Sequence, residues 1–168
     1  DRIFSGDGDG TFTSRDSLSD PPARPTNGAV SCDYDGDGDL DILTASYGVS
    51  VDNGHDSLWR NDGGIFTDVG TSVGYAALLT GNSYLSETGH GEDDEPGASP
   101  TTAVGGNSFG LDCADVSGDG RMDVLKTAIS HADSWDYSRL WSDPTMLLLG
   151  AADGTLTDSW QDLGLPFN

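Results

Sequence analysis

Basic residues are scarce: the 168-residue chain holds seven Lys and Arg against 29 Asp and Glu, a formal charge of −22, and Lys126 is its single lysine. Nucleic acids and anionic membranes both recruit basic patches, so this balance argues against either as a partner. Long apolar runs are missing as well. No stretch of 18 apolar residues occurs, and no basic segment leads into an apolar one, so neither a membrane-spanning helix nor a leader is read from the sequence. The chain therefore reads as a mature product or as a piece of a longer one. Glutamate is nearly absent too, with only Glu87, Glu92 and Glu95. The acidity is aspartate, a residue of turns and ligand loops that helix interiors disfavour. The 24 glycines point the same way, towards many tight turns. A hydrophobic content of 35% is ordinary, so the length suffices for one domain with a packed core.

What is abundant is concentrated in Asp33-Tyr34-Asp35-Gly36-Asp37-Gly38-Asp39-Leu40-Asp41. Asp33, Asp35, Asp37 and Asp41 occupy positions 1, 3, 5 and 9 of a calcium loop, with Gly38 at the sharp turn of position 6 and Asp39 offering its carbonyl from position 7. Crowded carboxylates repel, whereas Ca2+ is a hard ion that takes about 6 to 8 oxygens. The loop is not an EF-hand: position 12 is Thr44 rather than Glu, and both flanks are short and β-prone. A second copy runs from Asp115 to Asp123, with Asp115, Ser117, Asp119 and Asp123 at positions 1, 3, 5 and 9 and Gly120 at 6. Two Ca2+ ions are expected. Loops of this kind often bind too weakly to fill at cytosolic calcium levels, so the expected location is extracellular, secreted or at a cell surface.

Each loop sits between strands. The order strand, loop, strand, hairpin appears over 28–70 and returns over 106–168, while 1–15 forms a hairpin resembling the back half of one further copy. Residues 16–27 read as a Pro-rich linker and 71–105 as an inserted surface loop carrying the acidic run Glu92-Asp93-Asp94-Glu95. Asp7 and Asp9 lack a further carboxylate at the required spacing, so Gly6–Gly10 reads as a turn. Aligning the loops places Cys32 one residue and Cys113 two residues before them, on opposite faces of their sheets. That offset does not favour a Cys32–Cys113 disulfide, and two small buried thiols are at least as good a reading. The hairpin at 2–13 is marginal in isolation, so Phe4 and Phe12 are expected to be largely buried against another segment, either earlier residues of a longer parent or the C-terminal region of a neighbouring copy.

The pattern Asp-x-Asp-Gly-Asp-Gly-x-x-Asp, a hydrophobic strand, and then Trp59-Arg60-Asn61-Asp62-Gly63-Gly64-Ile65-Phe66-Thr67-Asp68-Val69 resembles the FG-GAP and VCBS-type repeats of integrin alpha-chain β-propellers and their bacterial relatives. The resemblance covers 1–15, 28–70 and 105–165. It implies an all-β fold of tandem four-stranded antiparallel blades, with calcium at the turn between the first two strands of each. Carried over by position, the implied ligands are Asp33, Asp35, Asp37, Asp39 by carbonyl and Asp41, then Asp115, Ser117, Asp119, Arg121 by carbonyl and Asp123. Ser117 departs from the usual Asp or Asn. The family's complete propellers have about seven blades, and propellers in general close with roughly 4 to 8, so about two and a half repeats leave an open unit.

Signals of catalysis are weak. Gly106-Asn107-Ser108-Phe109-Gly110 matches the nucleophile elbow of α/β-hydrolases, but a strand and a calcium loop follow where the elbow needs a helix. His55, His90 and His131 fall in loops without a second ligand at helical spacing. With 26 Asp, carboxylate pairs arise by chance and do not mark a glycosidase. Trp135, Tyr137 and Trp141 in the 130–144 connection offer a surface for sugar rings or protein, or simply pack on their own blade. The leading expectation is a non-catalytic, calcium-binding extracellular segment with a binding or adhesive role. Its partner would be a protein or glycan ligand or copies of itself, with no nucleic acid and no membrane insertion. One alternative is a structural subunit of an extracellular filament joined through half-blades. Another is an ancillary segment of a secreted carbohydrate-active enzyme.

Overall fold

A computed structural model describes residues 3–15, 26–46, 56–76, 108–128, 145–159 and 162–164. Most of the linker and of the inserted loop lies outside them, as do the three histidines, Trp135, Tyr137, Trp141 and Trp160. Ten strands and a single turn of helix are present among the described residues. β1 (Phe4–Gly6) and β2 (Phe12–Ser14) form a hairpin. The next sheet contains β3 (Thr26–Cys32), β4 (Asp41–Ser46), β5 (Leu58–Asp62) and β6 (Ile65–Asp68), and α1 (Gly70–Val73) follows it. The last sheet contains β7 (Ser108–Ala114), β8 (Asp123–Ala128), β9 (Met146–Gly150) and β10 (Leu156–Asp158).

Both larger sheets are antiparallel meanders in which each strand pairs with its neighbour in sequence. They are therefore two four-stranded blades of the expected kind, and the three sheets do not close into a ring or barrel. The Asp-rich loops join β3 to β4 and β7 to β8, the first two strands of each blade. The strand after the first loop begins at Asp41, because Leu40 still belongs to the loop.

The core lies between the blades. Cross-strand register puts Val30, Leu43 and Leu58 on one face of the first blade, with Cys32 on the same face. In the second blade, Cys113, Val124 and Leu148 share a face with Leu111, Lys126 and Met146. These two faces, with Tyr34, Tyr75 and Leu156, form one buried cluster. Where β3 passes β7 the backbones come close enough that a Cβ at Gly28 would collide with the Phe109 carbonyl oxygen. A residue larger than glycine would push the blades apart there.

The cysteines correct the sequence reading, because Cys32 and Cys113 form a disulfide with their Cα atoms 6.4 Å apart. Their opposite orientation is what makes this work. Aligned on Asp33 and Asp115, Leu43 matches Leu125 and Ile42 matches Val124; the first blade packs its Leu43 face and the second its Val124 face. Sheets stacked front to back present opposite faces to each other, so the offset that seemed to separate the cysteines brings them together.

A buried polar group also joins the blades. The Asp56 carboxylate receives the Ser46 amide at 2.7 Å, the Ser108 hydroxyl at 2.8 Å and the Lys126 ammonium at 2.9 Å. Lys126 also donates to the Tyr75 carbonyl at 2.9 Å and lies 5.0 Å from the centre of the Tyr75 ring. The Tyr75 hydroxyl, whose burial pushes its pKa well up, donates to the Thr44 carbonyl. Ser108 thus opens a strand and is buried in this network, which fits no nucleophile elbow.

The N-terminal hairpin departs from expectation. β1 and β2 pair only with each other among the described strands, and Phe4 and Phe12 are 54% and 70% exposed rather than buried. Nothing in the described part of the chain provides the inner strand pair that each larger blade lays beside its own outer hairpin.

Candidate metal centre

Both loops are shaped by their own carboxylates before any ion is considered. In the first, Asp33 accepts from the amides of Gly36 at 2.8 Å and Gly38 at 3.0 Å, and Asp37 accepts from the amide of Asp39 at 2.8 Å. In the second, Asp115 accepts from Gly118 at 2.7 Å and Gly120 at 2.8 Å, and Asp119 accepts from Arg121 at 2.9 Å. The same position-1 to positions 4 and 6 pattern recurs, as does the position-5 to position-7 bond. These bonds need the amides turned inward, which the backbone achieves at positive φ: 79° and 97° at Gly36 and Gly38, 77° and 86° at Gly118 and Gly120. Side chains with a Cβ rarely adopt that conformation, so glycine is required at position 4 as well as at 6.

Position 9 anchors the loop to its blade. Asp41 is fully buried, accepting from the Tyr34 amide at 2.9 Å within the loop and from the Asn61 amide at 2.8 Å in β5. Asp123 repeats this with Val116 at 3.0 Å, Ser117 at 2.9 Å and Gly150 of β9 at 2.9 Å. Position 7 reaches the outer hairpin too: the Asp39 carboxylate accepts from the Gly63 amide at 2.8 Å, and the Arg121 guanidinium donates to the Gly150 carbonyl at 2.9 Å. Spacing in the sequence assigns these residues to a loop; their ties to β5 and β9 depend on strand pairing 20 and 27 residues away.

The first loop gathers Asp33, Asp35 and Asp37, whose carboxylate oxygens lie within 4.8 Å of one another. Burial, and next the charge of Asp37, push the Asp35 carboxyl above its ordinary value. Asp41 is also raised, by burial first, against the lowering effect of its amide bonds to Asn61 and Tyr34. Such a cluster of hard oxygens under mutual repulsion fits a hard divalent cation better than a soft one. Among the described residues, the second loop gathers no comparable set of three carboxylates. Ser117 carries a hydroxyl at position 3, and Asp119 is ion-paired with Arg121. Asp115 is held below the ordinary carboxylate value, chiefly by the Gly120 amide. The turn at Asp7 and Asp9 is closed by Thr11 and Thr13, as expected of a turn, and its carboxylates face those hydroxyls.

Residues 1–44 match the family model described as an FG-GAP-like repeat. An FG-GAP-type repeat is therefore present here. The match runs through the N-terminal hairpin, β3 and the first loop into β4, so it contains every carboxylate of the first cluster. No curated protein and no solved structure matches the chain. Beyond residue 44, the second loop and second blade repeat the bonds of the first.

Proposed function

We propose that this FG-GAP repeat segment is a calcium-binding, extracellular element with a binding or adhesive role, in which the ions help to set the loop ends of stacked blades. The observation that carries the reading is the Asp33, Asp35 and Asp37 cluster, positioned in a loop whose ninth residue is locked into the blade. In the first site Asp33, Asp35 and Asp37 would hold the ion, with Asp39 by its carbonyl and Asp41 completing the set. In the second, Asp115, Ser117, Asp119, the Arg121 carbonyl and Asp123 would do so. The ion would contribute positive charge to a crowded acidic loop, and the chain's own residues contribute the preformed turn. An extracellular setting is supported by the disulfide between the blades, since such bonds persist in oxidising compartments.

The test is a count of bound ions. Equilibrium dialysis of the chelator-stripped chain against Ca2+ is expected to give two ions per chain, and one after Asp33→Asn with Asp37→Asn. A chain that binds no calcium at extracellular concentrations would remove the reading.

A further inference from the structure

Two exposed apolar faces of the chain match the two halves of its own buried interface. The first is on the N-terminal hairpin, which copies β9 and β10 in detail. Phe4, Ser5 and Gly6 pair with Ser14, Thr13 and Phe12, as Leu148, Leu149 and Gly150 pair with Asp158, Thr157 and Leu156. The turns carry the same bonds, Asp7 to the Thr11 carbonyl and Ala151 to that of Thr155, and the strands end with Arg15 to Ile3 and Ser159 to Leu147. Phe4 and Phe12 are therefore the counterparts of Leu148 and Leu156. The leucines are 1% and 5% exposed against the first blade, whereas the phenylalanines are 54% and 70% exposed.

The second face belongs to the second blade. Leu125 is the counterpart of Leu43, and it pairs across the sheet with Leu147 as Leu43 pairs with Leu58. Leu43 and Leu58 are wholly buried under the second blade, but Leu125 is 37% exposed and Val116 beside it 60%. Ala114, Val116, Leu125 and Leu147, with the acidic residues Asp112 and Asp123, are among the residues that line a groove of about 370 Å³ on this face. A cavity of roughly 150 Å³ takes up benzene, so the groove has room for phenylalanine rings.

We propose that the Phe4 and Phe12 face of one copy seats on the Val116, Leu125 and Leu147 face of a second copy, a head-to-tail contact that repeats the stacking of the two blades within the chain. The commitment to a second copy follows from the chain bearing both complementary faces at once, in the orientation that continues its internal stack. The contact is heterologous, so it either closes a ring of copies or extends as a filament. The contact face adjoins the second loop, since Val116 lies within that loop and Asp123 lines the groove. Because the copies are strongly acidic, association is expected to strengthen as salt screens their repulsion.

The test is sedimentation of the intact, disulfide-bonded chain across a range of concentrations, with Phe12→Asp and Leu125→Asp as variants. Both side chains are exposed, and near-ultraviolet circular dichroism verifies the fold; Phe4→Ser and Leu147→Gln replace either variant that fails it. The wild type is expected to associate with rising concentration, and each variant alone to stay monomeric. An equimolar mixture of the two is expected to form dimers and nothing larger, because each retains one half of the contact. A monomeric wild type, or association that either variant leaves unchanged, would overturn the proposal.

Discussion

The buried pair of Lys126 and Asp56 is expected to be a principal fastening between the blades, and substitution can measure it. Both side chains are out of solvent, at 1% and 0% exposure, with the ammonium 2.9 Å from the carboxylate. Lys126→Met keeps most of the stem's packing but leaves a buried carboxylate with only the Ser46 amide and Ser108 hydroxyl among the partners described above. Breaking a buried pair by removing one partner costs about 3–5 kcal/mol, a large part of the roughly 5–15 kcal/mol that holds a domain together. Asp56→Asn strands the ammonium in the same way. Removing both charges abolishes the uncompensated one, so the double variant should be more stable than either single. Urea unfolding with the disulfide intact and calcium in excess gives the three values, provided the slope stays constant. Losses below about 1 kcal/mol, the level of a surface pair, or a double variant equal to the sum of the singles, would refute the reasoning.

Three further outcomes follow from the same structure. The Cys32–Cys113 bond spans 81 residues, so the chain-entropy relation gives it about 4.5 kcal/mol; Cys32→Ser with Cys113→Ser should lower urea stability by several kcal/mol, and an unchanged midpoint would contradict this. The first loop should bind Ca2+ more tightly than the second, since Ser117 lacks a carboxylate and Arg121 competes for Asp119; calorimetry of Asp37→Ala against Asp119→Ala separates the sites, and equal affinities would count against the ranking. Asp35 is raised above 3.8 while Asp115 is lowered below it, so on acidification Asp35 takes up its proton first; calcium affinity of the first loop should fade at a higher pH than that of the second, and the reverse order in calorimetry at descending pH would oppose this.

Much of the fold was legible because its signals are local. Asp-Gly spacing marks both loops, period-two alternation marks the strands beside them, and the short Gly-rich turns determine which strands pair. What escaped depends on how sheets stack. Cys32 and Cys113 looked mismatched when each was assigned a face of its own sheet, since nothing in one strand's pattern says which face meets the next blade. Nothing in the sequence around Lys126, the single lysine, shows that Asp56 arrives from a connection of polar residues to meet it. At the site, the loops and the grouping of Asp33, Asp35 and Asp37 were readable from spacing, whereas the bonds of Asp41 to Asn61 and of Asp123 to Gly150 require knowing that β5 and β9 lie alongside. Burial of Phe4 and Phe12 was expected from the marginal stability of a lone hairpin, and the single chain leaves both exposed.

The most direct test of the central claim is the melting temperature of the intact chain in excess chelator, in Ca2+ and in Mg2+. A ligand at about 100 times its Kd stabilises the folded state by about 2.7 kcal/mol per site, so calcium should raise the melting temperature by several degrees. Magnesium should do less, because it demands tighter octahedral geometry and gives up its water reluctantly. Asp37→Asn should remove most of the first loop's share of the shift. A chain that melts at the same temperature with calcium as with chelator would contradict the assignment of these loops as calcium sites.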